Sequence, residues 1–322
     1  MKLDISLLSG PLLVAWQLTR RCDLACAHCC TSSSGSRSRD ELSGPDAARL
    51  ASDIAACRVP YVLLCGGEPM LSPHFWNVAE RLGSAGVELK VESNGQGLGK
   101  READRLARLP MRSVQISLDA DAQDVYARLR PGASLEKAWA ACRAVRAAGI
   151  PLEVSFVPVR FNAHQAEAVM ERAAALGAFR FNTGALMPLG RARRAWARLT
   201  PGPSQYEGLR ALLRRKQGDF AGSMELCYVP FTILEGLEAA RSSPPATLLI
   251  LPDGRVQVSA ALPYVCADLR RQGLFEAWER YRAAWKHGAV LEAAARTVRE
   301  PSRLSEAEEP RALDEIVVSG AA

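Results

Sequence analysis

The run Cys-Asp-Leu-Ala-Cys-Ala-His-Cys-Cys at positions 22–30 gives Cys22, Cys26 and Cys29 the spacing CxxxCxxC. Thiolates are the usual ligands of iron–sulfur clusters, which commonly take four of them. Three closely spaced thiolates can hold three irons of a four-iron cluster and leave the fourth open. An open metal position is what a catalytic centre needs and a structural one avoids. The same cysteines could form a zinc site, or pack as small apolar residues. Cys30 stands too close to Cys29 to be an ordinary further ligand.

Other chemistry-bearing residues recur at the ends of short apolar segments. They are Gly66-Gly67-Glu68-Pro69, Ser93-Asn94-Gly95, Ser117 with Asp119, Arg160 with Asn162, and Met187 to Ala192. In α/β folds, ligands bind outside the carboxyl ends of the strands. Together with the cysteines, these stretches place six polar groups on one face. The glycine pair either lets a ligand approach the backbone closely or simply makes a turn. The carbonyls there and the Glu68 carboxylate are acceptors suited to an ammonium group. Arg130 reads as a surface ion-pair partner, its guanidinium being a planar, bidentate donor. Asp119 either faces a ligand or caps a helix that begins near Ala122.

The elements that must position these residues alternate along the chain. Candidate strands are Leu12–Gln17, Tyr61–Cys65, Val87–Glu92, Ser113–Leu118, Leu152–Val157 and Phe179–Asn182. Each is read as short and apolar, as buried parallel strands are. Helical patterns cover Pro45–Cys57, Pro73–Ala85, Lys100–Leu109, Leu135–Ala148 and Ala163–Leu176. Ser43 suits a helix cap with proline in the first turn, and Gly86, Gly149 and Gly177 suit C-terminal caps. Six βα units imply a parallel sheet, either open or closed into a barrel. Residues 31–44 form a long polar loop, read as a flap beside the cysteines. The Arg-rich stretch 191–203 ends in Pro-Gly-Pro and reads as a domain boundary. Beyond it, Pro252-Asp253-Gly254 predicts a β-hairpin, followed by a helix near Leu274–His287. From Glu300 the composition is that of a partly disordered tail.

Taken together, these residues resemble the motifs of the radical S-adenosylmethionine (radical SAM) superfamily, in the branch with a C-terminal SPASM or twitch domain that matures peptides and cofactors. His28 stands at the aromatic position of that family's cysteine motif, and Gly66-Gly67-Glu68-Pro69 matches its GGEP. The resemblance implies a partial (β/α)6 barrel, an α/β radical SAM core at 1–200, and a small twitch-like α+β domain at 201–299, with 300–322 as tail. It implies one 4Fe-4S cluster on Cys22, Cys26 and Cys29. It also implies an S-adenosylmethionine site drawing on His28, Gly66, Gly67, Glu68, Pro69, Ser93, Asn94, Ser117, Asp119, Arg130 and Asn162. The implied activity is reductive cleavage of S-adenosylmethionine to a 5′-deoxyadenosyl radical, with the protein supplying placement. Ser93 stands for the commoner threonine, Ala120 and Pro131 for commoner glycines. The largest departure is Ser259, five residues past Gly254, where a thiolate for an auxiliary cluster is expected. Cys227 and Cys266 alone cannot complete a four-thiolate site, while Cys57, Cys65 and Cys142 fall on predicted core elements.

The 322 residues suffice for one large and one smaller domain, and 48% apolar with 24% charged residues is an ordinary globular profile. The nine cysteines are odd in number and unevenly spread, unlike a disulfide framework. No apolar run is long enough to span a bilayer, and the N-terminus does not read as a secretory signal. A cytoplasmic enzyme is expected. A net charge of +6 permits an anionic partner without demanding one. Neither nucleic acid nor membrane is expected as partner. The expected substrate is a ribosomal peptide or cofactor precursor, or else a small molecule such as a tetrapyrrole. An external electron donor of flavodoxin or ferredoxin type is expected too. About ten residues precede the first strand, so no fused peptide-recognition domain is expected, and a peptide substrate would need a separate carrier protein or direct capture. The rival of another class is a zinc-binding interaction protein.

Overall fold

The structure is a computed structural model and describes residues 4–313. The first elements in chain order are β1 (Leu13–Gln17), α1 (Gly44–Ala56), β2 (Tyr61–Cys65), α2 (Phe75–Ser84), β3 (Glu88–Ser93), α3 (Lys100–Leu106), β4 (Met111–Ser117), α4 (Gln123–Leu129) and α5 (Leu135–Ala147). There follow β5 (Leu152–Phe156), α6 (Ala166–Ala175), β6 (Arg180–Thr183), α7 (Gly190–Arg194), α8 (Trp196–Leu199), α9 (Pro203–Asp219) and β7 (Glu225–Cys227). The last are α10 (Ile233–Ser242), β8 (Thr247–Ile250), β9 (Arg255–Gln257), β10 (Tyr264–Asp268), α11 (Leu274–Ala284), α12 (Gly288–Arg299) and β11 (Arg311–Ala312). The chain forms two compact units. One comprises residues up to Arg21, Ser36–Leu89 and the chain from Ile233. The other comprises Cys22–Gly35 and Lys90–Thr232.

In the first unit β1 pairs in parallel with β2 on one side and β8 on the other. The predicted hairpin is present: β8 and β9 are antiparallel, and β10 continues the antiparallel run. Alternation along β1 and β2 buries Val14, Trp16, Val62 and Leu64. Leu50 and Ile54 of α1, and Phe75, Val78 and Leu82 of α2, are buried as well, and the two helices pack on each other. Helix α1 starts where the sequence places it. Ser43 is extended, its Oγ accepts from the Asp46 N–H at 3.3 Å, and Pro45 needs no intrahelical donor. From Glu300, residues to Leu313 form a 3-10 helix (Pro301–Glu308) and β11, burying Leu304. The rest of the expected tail lies outside the described residues.

In the second unit β4, β5, β6 and β7 run in parallel, each beside the next. Helices α5 and α6 pack against β4 and β5. The face they cover is apolar: Val114, Ile116, Val154, Phe156 and Phe181 are all at most 1% exposed. The opposite face is not. Register aligns Gln115, Glu153, Arg180 and Glu225 in one row, and Ser117, Ser155, Asn182 and Cys227 in the row nearer the carboxyl ends. The reading of these strands as apolar throughout is therefore corrected. They alternate, with polar side chains on the face away from the helices.

Candidate active site

The cysteine loop of the second unit is held mainly through its backbone. Cys22 N–H donates to Ser34 O at 2.6 Å, and Ala27 N–H to Leu129 O at 2.9 Å. The Ala27 methyl packs against a buried cluster of Leu129, Val159, Leu186, Ala192, Ala195 and Leu199. Arg191 clamps the loop from the start of α7. Its N–H donates to Cys29 O at 2.9 Å, its Nε to Cys26 O at 2.7 Å and its Nη1 to Ser33 O at 2.5 Å. Gly190 makes that approach possible. Its φ is +56°, and a Cβ there would lie 2.5 Å from Cys30 O and 2.6 Å from Cys29 O. No L side chain fits such a gap.

Each ligand candidate has its own neighbour. Asn94 Nδ2 lies 3.7 Å from Cys22 Sγ and donates to Asp23 Oδ1 at 2.7 Å. Arg130 Nη1 lies 3.6 Å from Cys26 Sγ, and Cys29 Sγ lies 3.3 Å from Thr31 Oγ1. Cys22 and Cys26 are buried and Cys29 half-buried. Among the described residues no three cysteine, histidine or acidic side chains are gathered as a ready metal site. The donor set nevertheless suits a soft metal centre, because thiolate sulfurs met by N–H donors are a favourable pairing.

Beside the thiols lies a buried charged triad. Arg130 Nε and Nη2 are each 2.6 Å from Asp119 Oδ2. Asp119 Oδ1 accepts from Val157 N–H at 2.8 Å, and His28 Nε2 is 3.3 Å from Oδ2. Burial alone would raise the Asp119 pKa. The Arg130 charge, with a hydrogen bond from His28, outweighs it and holds the carboxyl well below the usual range. Burial lowers the His28 pKa despite the pull of Asp119, so its ring is neutral. Nε2 lies 3.3 Å from Asp119 Oδ2 and 3.4 Å from Arg130 Nη2; we assign the proton to Nε2, toward the carboxylate, which leaves the lone pair on Nδ1. That Nδ1 is buried without a hydrogen-bond partner. An orphaned buried acceptor beside three thiols is a place where a ligand's N–H or O–H fits.

Asp119 does not cap α4, whose N-cap is Ala122 with no side-chain bond, so that alternative is corrected. Arg130 is a buried ion-pair partner of Asp119, not a surface one. Asn162 spends its amide on the chain: Oδ1 accepts from Val159 N–H at 2.6 Å, and Nδ2 donates to Asp119 O at 2.8 Å and Val157 O at 3.0 Å. It positions Asp119. Ser93 Oγ accepts from Gly95 N–H at 3.0 Å, and Ser117 O accepts from Tyr126 Oη at 3.1 Å.

The glycine motif lies in the first unit. There the close approach is to the chain's own backbone: a Cβ on Gly66 would sit 2.6 Å from Thr19 O, and one on Gly67 2.2 Å from Arg21 O. Gly67 N–H donates to Thr19 O and Glu68 N–H to Arg21 O, at 2.7 and 2.8 Å. Glu68 is buried, and its carboxylate faces Met70 N–H at 3.5 Å, capping the 3-10 turn that Pro69 opens. Of the cysteines assigned to packing, Cys142 is fully buried, whereas Cys57 and Cys65 are half-exposed. Ser259 Oγ accepts from Ala261 N–H at 3.2 Å, and Cys266 is buried in β10.

Two features escape the sequence reading: the Arg191 clamp, and the network joining Lys90, Gln115, Glu153 and Asn182 on the polar face. Period-two alternation in β3 to β6 is the signal that could have found the second.

Residues 16–173 match the model of the Radical SAM superfamily. The mycofactocin maturase MftC of Mycobacterium tuberculosis is 34% identical over 199 residues, covering 62% of this chain and 50% of that protein. The MftC of Mycolicibacterium smegmatis is 30% identical over 303 residues, covering 91% of this chain and 74% of its own length. The AdoMet-dependent heme synthase of Methanosarcina barkeri is 28% identical over 189 residues, covering 58% and 54%. The structure of Streptococcus suis SuiB bound to S-adenosylmethionine superposes with a TM-score of 0.70 at 14% identity, covering 93% of this chain and 77% of that one. The chain thus spans about half the length of the M. tuberculosis maturase it matches. Its fold is the α/β fold with the parallel sheet of the radical SAM partial barrel, followed by a small antiparallel segment, β8 to β10. No described helix is long and apolar enough to cross a membrane. A relative matched over nine-tenths of this chain, and a cysteine loop inside the matched family span, lead to one conclusion: the chain belongs to the radical SAM superfamily.

Proposed function

We propose that this protein is a radical SAM enzyme acting in the maturation of a ribosomal peptide or cofactor precursor. The observation that carries the reading is the cysteine loop: three thiols in CxxxCxxC spacing, two of them met by N–H donors from Asn94 and Arg130. Cys22, Cys26 and Cys29 would hold a 4Fe-4S cluster. Bound there, the cluster and S-adenosylmethionine would supply reductive cleavage to a 5′-deoxyadenosyl radical.

The chain's own residues do the rest by placement. Arg191 and Gly190 fix the path of the loop. Asn94 and Arg130 offset charge on the Cys22 and Cys26 sulfurs. Asp119 orients Arg130 and His28, so that His28 Nδ1 stands ready as an acceptor for the nucleotide. Glu68 is assigned to the ligand's ammonium group, with Gly66, Gly67 and Pro69 shaping its turn. Ser93 and Ser117 are assigned to the hydroxyl and carboxylate contacts, and Asn162 to holding Asp119.

We assign residues 1–200 to the core, 201–299 to a degenerate twitch-like domain and 300–322 to a tail, with one cluster per chain. Ser259 and the lone pair of C-terminal cysteines support that count. The maturase relatives support a role in maturation, and we assign it to a peptide delivered directly or by a separate carrier protein. The haem synthase relative supports a tetrapyrrole as the second reading. An external flavodoxin- or ferredoxin-type donor would supply the electron.

Anaerobic reconstitution with iron and sulfide tests the metal assignment. About four irons per chain with visible absorption is expected. A colourless, zinc-loaded protein would instead mark it as a zinc-binding interaction protein.

A further inference from the structure

The face of β3 to β6 away from the helices carries more charge than the cysteine loop accounts for. Glu153 is nearly fully buried and accepts from Lys90 Nζ at 2.8 Å, Ser113 Oγ at 2.6 Å and Asn182 Nδ2 at 2.8 Å. Gln115 Oε1 accepts from the same Lys90 and Asn182, at 3.1 and 2.9 Å. Arg180 lies 4.0 Å from Glu153 and 2.7 Å from Glu225. Two cations thus meet two carboxylates.

Glu92 is the third carboxylate, and it is left over. Lys90 Nζ is 4.0 Å from it, against 2.8 Å from Glu153, so the lysine's charge is already engaged. Gln115 offers Glu92 a hydrogen bond but no charge. Glu92 keeps 36% of its side-chain exposure, whereas Glu153 keeps 2%. It stands at the carboxyl end of β3, two residues before Asn94, whose side chain holds Asp23 in the cysteine loop.

We propose that Glu92 is a substrate-recognition residue whose carboxylate receives a cationic nitrogen, an ammonium or guanidinium, on the polar face of β3 to β6. Enclosure raises the Glu92 pKa, and Glu153 adds to it while Lys90 only partly offsets it. A carboxylate in that state gains most from a cation brought by a ligand. Ser155, at the carboxyl end of β5 and in register beside Ser117, offers a hydroxyl to the rest of such a molecule. The inference deepens the function proposed above, since it rests on this face being the substrate side.

The test uses two isosteric probes with blocked α-amino groups, Nα-acetyl-L-argininamide and Nα-acetyl-L-citrullinamide, which differ only in side-chain charge. Binding to the reconstituted full chain is measured by calorimetry in the presence of S-adenosylmethionine. The wild type should prefer the argininamide by about tenfold. Glu92→Gln should erase the preference, and Glu92→Asp should keep part of it. Equal affinities in the wild type, or no saturable binding of the argininamide, would overturn the proposal. Formation of 5′-deoxyadenosine by the wild type is measured on the same samples. A missing charge preference with cleavage intact rejects only this inference, whereas missing cleavage rejects the enzyme function.

Discussion

Arg130 sets two nitrogens 2.6 Å from a single oxygen of Asp119 and turns its third toward the Cys26 sulfur at 3.6 Å. The guanidinium thereby ties the end of β4 to the cysteine loop. Both side chains are buried, at 8% and 0% exposure. Removing one partner leaves an uncompensated buried charge, which costs more than the pair itself contributes. Asp119→Asn should lower stability by about 3–5 kcal/mol. Arg130→Lys should also destabilise, because an ammonium cannot make both bonds to Asp119 and reach Cys26. Urea unfolding of the metal-free protein checks both. A loss below about 1 kcal/mol in Asp119→Asn, the size of a surface ion pair, would contradict the buried triad.

Gly190→Ala should be costly for two reasons. Positive φ strains any L residue by about 1–2 kcal/mol, and the new methyl would meet the carbonyls of Cys29 and Cys30. Gly222 also has positive φ, +78°, but open space around its Cβ position. Gly222→Ala should show the strain alone. Gly190→Ala should exceed it by about 1–3 kcal/mol of overpacking and should retain less iron after reconstitution. Equal behaviour of the two variants would mean that α7 does not set the path of the loop.

Glu153 gives a pH signature. Burial works against its charge, but Lys90, Ser113 and Asn182 outweigh burial and hold its pKa below 4.5. A carboxylate depressed in the folded state adds stability that is fully present above its unfolded pKa and is lost as pH falls through the folded value. Glu153→Gln should therefore be less stable than the wild type at pH 7. The gap should narrow as the pH drops below 4.5. Thermal melts of both proteins between pH 3 and 7 measure it, and a gap that widens in acid would refute the arrangement.

The thiols outside the loop should separate by burial. Enclosure pushes Cys142 and Cys266 up to about 12, so neither forms thiolate at neutral pH. Cys57 and Cys65 are only half-buried, and although burial raises the Cys57 thiol as well, both remain in reach of a reagent. Iodoacetamide at pH 8 should alkylate Cys57 and Cys65 in the folded protein and spare Cys142 and Cys266, as read by peptide mass mapping. Rapid labelling of Cys266 without unfolding would show that β10 is not packed as described.

Much of this was legible in the sequence because its signals are local. The strand Tyr61–Cys65 and the start of α1 at Ser43 and Pro45 follow from short patterns that neighbours do not override. The hairpin at Asp253-Gly254 does too. Helices α7 and α8, of five and four residues, are too short to show a period. The Arg191 clamp joins positions 165 residues apart, and nothing along the chain announces it. The pairing of Asp119 with Arg130 was hidden differently. Both residues were visible, but sequence assigned Asp119 a ligand or a cap and Arg130 a ligand or a surface ion pair, and only the packed chain turns them on each other. The polar face was overlooked because a residue such as Val91 or Val154 made its strand read as buried on both sides. Register then set Gln115, Glu153 and Arg180 in one row on the other face.

The central claim is that the cysteine loop supports radical chemistry on S-adenosylmethionine. The most direct measurement is 5′-deoxyadenosine formed by the reconstituted, dithionite-reduced protein, quantified beside Cys22→Ala, Cys26→Ala, Cys29→Ala and Cys30→Ala. The account predicts product from the wild type, none from the first three variants, and most of the wild-type yield from Cys30→Ala. No product from a wild type that carries its four irons, or product that survives the loss of Cys29 but not of Cys30, would contradict it.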